Sequence, residues 1–101
     1  MDKRLCAAAI QFNIVLGEVD QNLARAAAGL ERAAKQGVQL AVLPEMWSAG
    51  YDYKRLARHA EETPRVLDAV SGWSAQLGLV VVGSLPEEAQ GKLYKIGRAH
   101  V

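Results

Sequence analysis

Residues 40–53 read Leu-Ala-Val-Leu-Pro-Glu-Met-Trp-Ser-Ala-Gly-Tyr-Asp-Tyr. The first four are apolar without a break, which after a helix points to a short strand buried on both faces. Pro44 ends the run and biases Leu43 towards extended backbone, so Glu45 leaves the strand in a direction set by its neighbours. Behind this stretch, Leu23, Ala26, Ala27, Leu30, Ala33 and Ala34 recur at helical spacing, and Gly37 supplies a left-handed helix stop. They predict an amphipathic helix of about four turns that begins near Val19-Asp20, with Asp20 accepting from the free amides of the first turn. Further back, Leu5 to Phe12 is apolar at nearly every position and predicts a strand covered on both faces, followed by a loop from Asn13 to Gly17. Strand, helix, strand predicts a parallel pair joined by a crossover helix, the opening unit of an α/β fold.

Beyond residue 53 the same alternation continues. Leu56, Ala57 and Ala60 suggest a short helix, after which Thr63-Pro64 reads as the N-cap and first residue of a new one. Val66, Val70, Trp73 and Leu77 fall on one face of that helix, and Gly78 closes it. Leu79 to Val82 predicts a third buried strand, and the polar stretch Glu87 to Lys92, containing Gly91, a turn into a fourth strand starting at Leu93-Tyr94. There is no internal repeat, low-complexity tract or linker.

Half of the 101 residues are apolar, which excludes disorder, and the formal net charge of +1 is spread without runs. Nucleic acid is therefore not an expected partner. No apolar stretch approaches the roughly 20 residues that span a bilayer, and no signal peptide is recognisable, so a cytoplasmic protein without a membrane partner is expected. One cysteine and two distant histidines make neither a disulfide nor a zinc site, and no glycine loop for a phosphate is present. Neither metal nor cofactor is expected.

In parallel sheets reactive groups collect beyond the carboxyl ends of the strands, which is where Glu45 falls. Met46, Trp47 and Tyr51 are expected to shield its carboxylate from water and raise its pKa towards the range of a general base, while Gly50 lets the loop turn tightly. Cys6 is expected in the strand core, where a thiol behaves as a small apolar group. His59 is expected at the surface, Lys92 in a solvated turn, and Trp73 in the core or at an interface.

Leu43-Pro44-Glu45 with Gly50-Tyr51, Ala9-Ile10-Gln11, and Gly83-Ser84 followed by Gly91-Lys92-Leu93-Tyr94 together resemble the nitrilase, or carbon–nitrogen hydrolase, superfamily, in the expected order from about residue 5 to 94. The resemblance implies the N-terminal part of a four-layer α-β-β-α sandwich and a Glu, Lys and Cys mechanism for hydrolysing non-peptide carbon–nitrogen bonds. Glu45 matches the family's Glu, and Trp47 and Tyr51 are candidate substrate contacts. The family's Lys and Cys are expected further along, so the chain itself is expected to be inactive. Residues 47–52, with Glu61-Glu62-Thr63-Pro64 and Gly83 to Glu87, look most like the omega-amidase branch, whose substrates are small ω-amido acids such as α-ketoglutaramate. The implied partners are a small amide and water, and the parent enzyme is expected to be a homo-oligomer. Nitrilase and N-carbamoyl amidohydrolase activities, and a non-enzymatic α/β interaction module, are the alternatives.

Ile96-Gly97-Arg98-Ala99-His100-Val101 resembles a translated sequencing adapter, with Lys95 as the junction codon. Residues 1–94 are thus expected to be a truncated hydrolase domain and 95–101 a foreign tail. The isolated chain is expected to be poorly stable, because about half a sandwich leaves sheet surface bare.

Overall fold

A computed structural model describes residues 4–100. The elements run β1 (Ala7–Ala9), α1 (Val19–Lys35), β2 (Leu40–Val42), a 3-10 turn (Tyr53–Arg55), α2 (Leu56–Leu77), β3 (Val80–Ala89) and β4 (Lys92–His100). They form one four-stranded sheet in the order β1-β2-β3-β4. β1, β2 and β3 are parallel, with Ala8 opposite Ala41 and Ala41 opposite Val81, whereas β4 returns antiparallel to β3.

Parallel neighbours need crossovers, and right-handed crossovers advancing in one direction across a sheet deposit their helices on the same side. The residues facing that side are accordingly dry: Ala41 is 0% exposed, Val81 1%, Leu79 2% and Leu43 4%, packed with Ala26 and Leu30 from α1 and Val66 and Val70 from α2. On the opposite face Val42 is exposed, and Leu40, Val80 and Val82 are only half-buried. The sheet has helices on one face and none on the other among the described residues.

The first departure from the sequence reading lies at β1. The strand expected over Leu5 to Phe12 is regular only from Ala7 to Ala9, and Cys6 is exposed instead of buried. Cys6 precedes the regular strand at the sheet edge, where the helical layer does not cover it. Asp20 does not cap α1: the N-cap is Glu18, without a side-chain bond to the first turn, while Asp20 accepts from Arg65 Nη1 at 2.9 Å. The far end of α1 follows expectation, with Gly37 at φ +81° and Val38 N–H reaching back to the Ala33 carbonyl at 3.1 Å.

No break occurs at Thr63-Pro64, because α2 runs through it unbroken. Proline removes one backbone donor inside the helix. Its neighbour Thr63 is buried and donates its hydroxyl to the Pro86 carbonyl at 2.5 Å, tying the helix to β3 at that point. β3 is longer than expected, continuing through Gly83 to Ala89, and the turn shrinks to Gln90-Gly91. Both turn residues have positive φ, 52° and 75°, the hairpin geometry whose twist matches the flanking strands.

Candidate active site

Glu45 lies just beyond β2, as its position after the Leu40 run predicts. Two amides extend the sheet up to it: Ile10 N–H donates to the Val42 carbonyl and Leu43 N–H to the Val82 carbonyl, both at 2.8 Å. The next residue, Met46, adopts φ 51°, an uncommon conformation for a side-chain-bearing residue, and donates its N–H to Ser84 Oγ at 2.9 Å. The carboxylate is therefore aimed by a left-handed residue fastened to β3. Gly50, at φ +70°, closes the loop by donating to the Met46 carbonyl at 2.8 Å.

From α1, Asn22 reaches under this loop. Fully buried, it accepts from Val15 N–H at 2.8 Å and donates to the carbonyls of Val15 at 2.9 Å and Ser48 at 2.8 Å. One amide thus satisfies backbone groups of both loops that border the site. The sequence reading passed over Asn22, although it held a signal: a polar residue in line with Val19, Ala26, Leu30 and Ala33 on the apolar face of a helix.

Tyr51 is 43% exposed and donates its hydroxyl to Glu45 Oε1 at 2.5 Å, with its ring beside that of Tyr53 at 5.9 Å between centroids. Lys95 of β4 pairs with the same carboxylate oxygen. The expectation that burial raises the Glu45 pKa is overturned. The Glu45 side chain is 54% exposed, and the hydrogen bond from Lys95, reinforced by that from Tyr51 and by the lysine's charge, holds it below the ordinary carboxylate value. The hydrogen bond to Glu45 in turn raises the pKa of both Tyr51 and Lys95. The shielding side chains turn inward: Met46 is 2% and Trp47 1% exposed. Trp47 packs against Trp73, ring centroids 6.2 Å apart, and against Gly83, where an added Cβ would lie 2.9 Å from the indole Nε1. Trp47 thus forms the floor beneath the loop, while Tyr51 faces the carboxylate. An open depression of about 540 Å³ bounded by Gln11, Phe12, Asn13 and Pro44 borders the same strand ends.

His59, expected at the surface, is buried, with Nε2 3.0 Å from Asp52 Oδ2. Its burial follows from the uninterrupted α2, which carries it onto the inner side of the helix beneath the Asp52 end of the loop. Lys92 is exposed at the start of β4. Among the described residues no three His, Cys, Asp or Glu side chains are grouped to hold a metal, and no helix is long and apolar enough to cross a membrane.

Comparison with known proteins agrees with this arrangement. A family model described as carbon-nitrogen hydrolase matches residues 6–99. The chain is 36% identical over 87 residues to an omega-amidase of Xenopus tropicalis, covering 84% of this chain and 31% of that protein. It is 31% identical over 97 residues to a chloroplastic omega-amidase of Arabidopsis thaliana, covering 83% of this chain and 26% of that one. It superposes on a variant of the amidase from Nesterenkonia sp. AN1 with TM-score 0.86 at 23% identity, covering 95% of this chain and 39% of that chain, a likeness of fold. The chain spans about a third of the length of the curated relatives it matches.

Proposed function

The chain belongs to the carbon–nitrogen hydrolase family, and we propose that it is the N-terminal part of an enzyme that hydrolyses small amides, with Glu45 as its general base and acid. The observation that carries the reading is a carboxylate held at the mouth of parallel strands by a hydroxyl donor, Tyr51, and by the Met46 amide's bond to Ser84. In the proposed reaction a cysteine thiolate attacks the amide carbon and a tetrahedral intermediate collapses to a thioester. Glu45, having taken the thiol proton, passes it to departing ammonia, then takes one from the water that hydrolyses the thioester and returns it to the leaving thiolate. A lysine steadies the developing oxyanion. Both of those residues are assigned to sequence beyond residue 94.

Lys95, the main cause of the lowered Glu45 pKa, belongs to the assigned tail, so in the parent enzyme that restraint is absent and covering layers strip water from Glu45 and raise its affinity for protons. The open sheet face marked by Val42 is the surface such a layer would cover, which fits the second sheet of an α-β-β-α sandwich. Residues 95–101 remain assigned to an adapter-derived tail. The place of residues 95–100 in β4 is compatible with this, because strand pairing engages backbone groups and an open edge accepts any segment of suitable shape. The omega-amidase branch, a cytoplasmic location and a homo-oligomeric parent complete the reading.

The test uses the whole enzyme. Glu45→Gln should lower kcat on α-ketoglutaramate by orders of magnitude while leaving the thermal melt in place; retained turnover removes Glu45 from the chemistry. Assay against a carbamoyl amino acid and an aliphatic nitrile decides the branch, and activity on the nitrile alone would reject the amidase assignment.

A further inference from the structure

The loop that carries Glu45 is fastened at its start by the Met46 amide to Ser84 and at its middle by Asn22 to the Ser48 carbonyl. Its far end is held differently. Tyr51, whose hydroxyl meets Glu45, is 43% exposed, and its ring lies beside that of Tyr53, itself 76% exposed, so side-chain packing does little to fix where the hydroxyl points. Its place depends on the backbone. The next residue, Asp52, turns its side chain inward and anchors that backbone, while its carbonyl accepts from Arg55 N–H at 3.1 Å to start the 3-10 turn.

The anchor is His59. Its side chain is 4% exposed and that of Asp52 13%, with Nε2 3.0 Å from Oδ2. A carboxylate only accepts, so the proton between them lies on Nε2 whatever the state of the other ring nitrogen. Hydrogen bonds to an ionised group are among the stronger and shorter ones, which suits this bond to a positioning task. The carboxylate has no room to swing away, because a Cβ added at Gly17 would lie 2.8 Å from Asp52 Oδ2 and 3.7 Å from His59 Nε2. Gly17 is itself tied to the loop, donating its N–H to the Ala49 carbonyl at 2.8 Å. The ring in turn stands on a fixed support: Thr63, one turn further along α2, donates to the Pro86 carbonyl of β3.

From this chain of contacts we propose that His59 is a positioning residue for the hydrolysis: it fixes Asp52, Asp52 fixes the backbone at Tyr51, and Tyr51 fixes the Glu45 carboxylate. The proposal rests on the reading of Glu45 as the general base, and adds a buried residue 14 positions away on which that base depends. Misplacing a reacting group by about 1 Å can cost on the order of a hundredfold in rate, so a loosened Asp52 should be felt in turnover.

The test is a double-variant cycle in the whole enzyme. His59→Leu should lower kcat at least tenfold, and His59→Gln, whose amide nitrogen can take the place of Nε2, should keep most of it. Should His59→Leu fold poorly, Asp52→Ala removes the same bond without stranding a carboxylate, and the same loss is expected. Combined with Tyr51→Phe, either variant should have kcat within twofold of Tyr51→Phe alone, since both act through one contact; general destabilisation would instead multiply the two losses. Carbon-13 NMR gives a readout separate from turnover: the Tyr51 hydrogen bond lowers the Glu45 pKa, so that pKa should rise in His59→Leu and rise no further in the double variant than in Tyr51→Phe. Multiplied losses, an unmoved Glu45 titration, or full turnover in His59→Leu while Glu45→Gln is inactive would each overturn this inference alone. Turnover retained in Glu45→Gln would overturn the hydrolytic reading and this inference with it.

Discussion

Replacing Asn22 with alanine is the most informative perturbation of the scaffold. The change removes three hydrogen bonds, to Val15 N–H, the Val15 carbonyl and the Ser48 carbonyl. A hydrogen bond contributes about 1 kcal/mol net, and a buried group left without a partner costs about 1–3 kcal/mol. Val15 is only half-buried and regains water, whereas the bond to Ser48 lies wholly inside the fold, so the unsatisfied cost falls mainly on one carbonyl. The sum is about 3 kcal/mol, equivalent to a factor of roughly 150 in the folding equilibrium. Asn22→Asp should be at least as damaging, since it keeps the acceptor for Val15 N–H but sets a carboxylate oxygen against two carbonyls. Urea unfolding of the whole protein measures the total, and hydrogen exchange at the Val15 amide measures the local share. Because Ser48 lies in the Glu45 loop, kcat should fall as well. A variant with unchanged unfolding free energy and Val15 exchange within twofold of the parent would show that Asn22 does not organise these loops.

Other outcomes follow from single contacts. Gly17→Ala should destabilise by about 2 kcal/mol, because φ is +74° and the new Cβ would sit 2.8 Å from Asp52 Oδ2; a melt unchanged from the parent would count against that packing. Thr63→Val should cost about 1–2 kcal/mol in urea unfolding through the lost bond to Pro86, and a neutral effect would deny the tie between α2 and β3. In this chain the Glu45 carboxyl should titrate below the ordinary Glu value by NMR, and both Lys95→Ala and Tyr51→Phe should move it upward. The pairing stabilises the fold above the unfolded Glu pKa and is lost as pH falls through the lower folded value. Lys95, whose pKa is raised, supplies its share below the unfolded Lys pKa and loses it as pH rises through the folded value. The isolated chain, with Val42 uncovered, should aggregate or lack a cooperative melt; sharp native signals would show that one helical layer suffices.

The elements that announce themselves in the sequence are those whose surroundings lie nearby in the chain. The Leu40 run, the periodic face of α1 and the Gly37 stop needed only local pattern, and they fixed the place of Glu45. What escaped depends on partners distant in sequence. Asn22 looks like a polar residue near a helix start until the loops containing Val15 and Ser48 close over it. His59 looks exposed if Thr63-Pro64 divides the helix, and is buried once the helix continues. Cys6 reads as core because it continues the apolar run of β1, but it lies ahead of the regular strand, where the helical layer no longer covers it. The sign of the Glu45 pKa shift escaped for a similar reason: its walls point inward, and its nearest cation belongs to a strand fifty residues away.

The bond between the Met46 amide and Ser84 joins positions 38 residues apart. Chain closure over such a span comes late, since its entropic cost precedes any reward. Until β3 docks, the backbone after Glu45 has no reason to hold its left-handed twist, and the acid wanders. On the function proposed above, chemical competence is therefore acquired only after the scaffold has assembled, and an immature chain passes through its exposed stages with the Glu45 carboxylate unaimed.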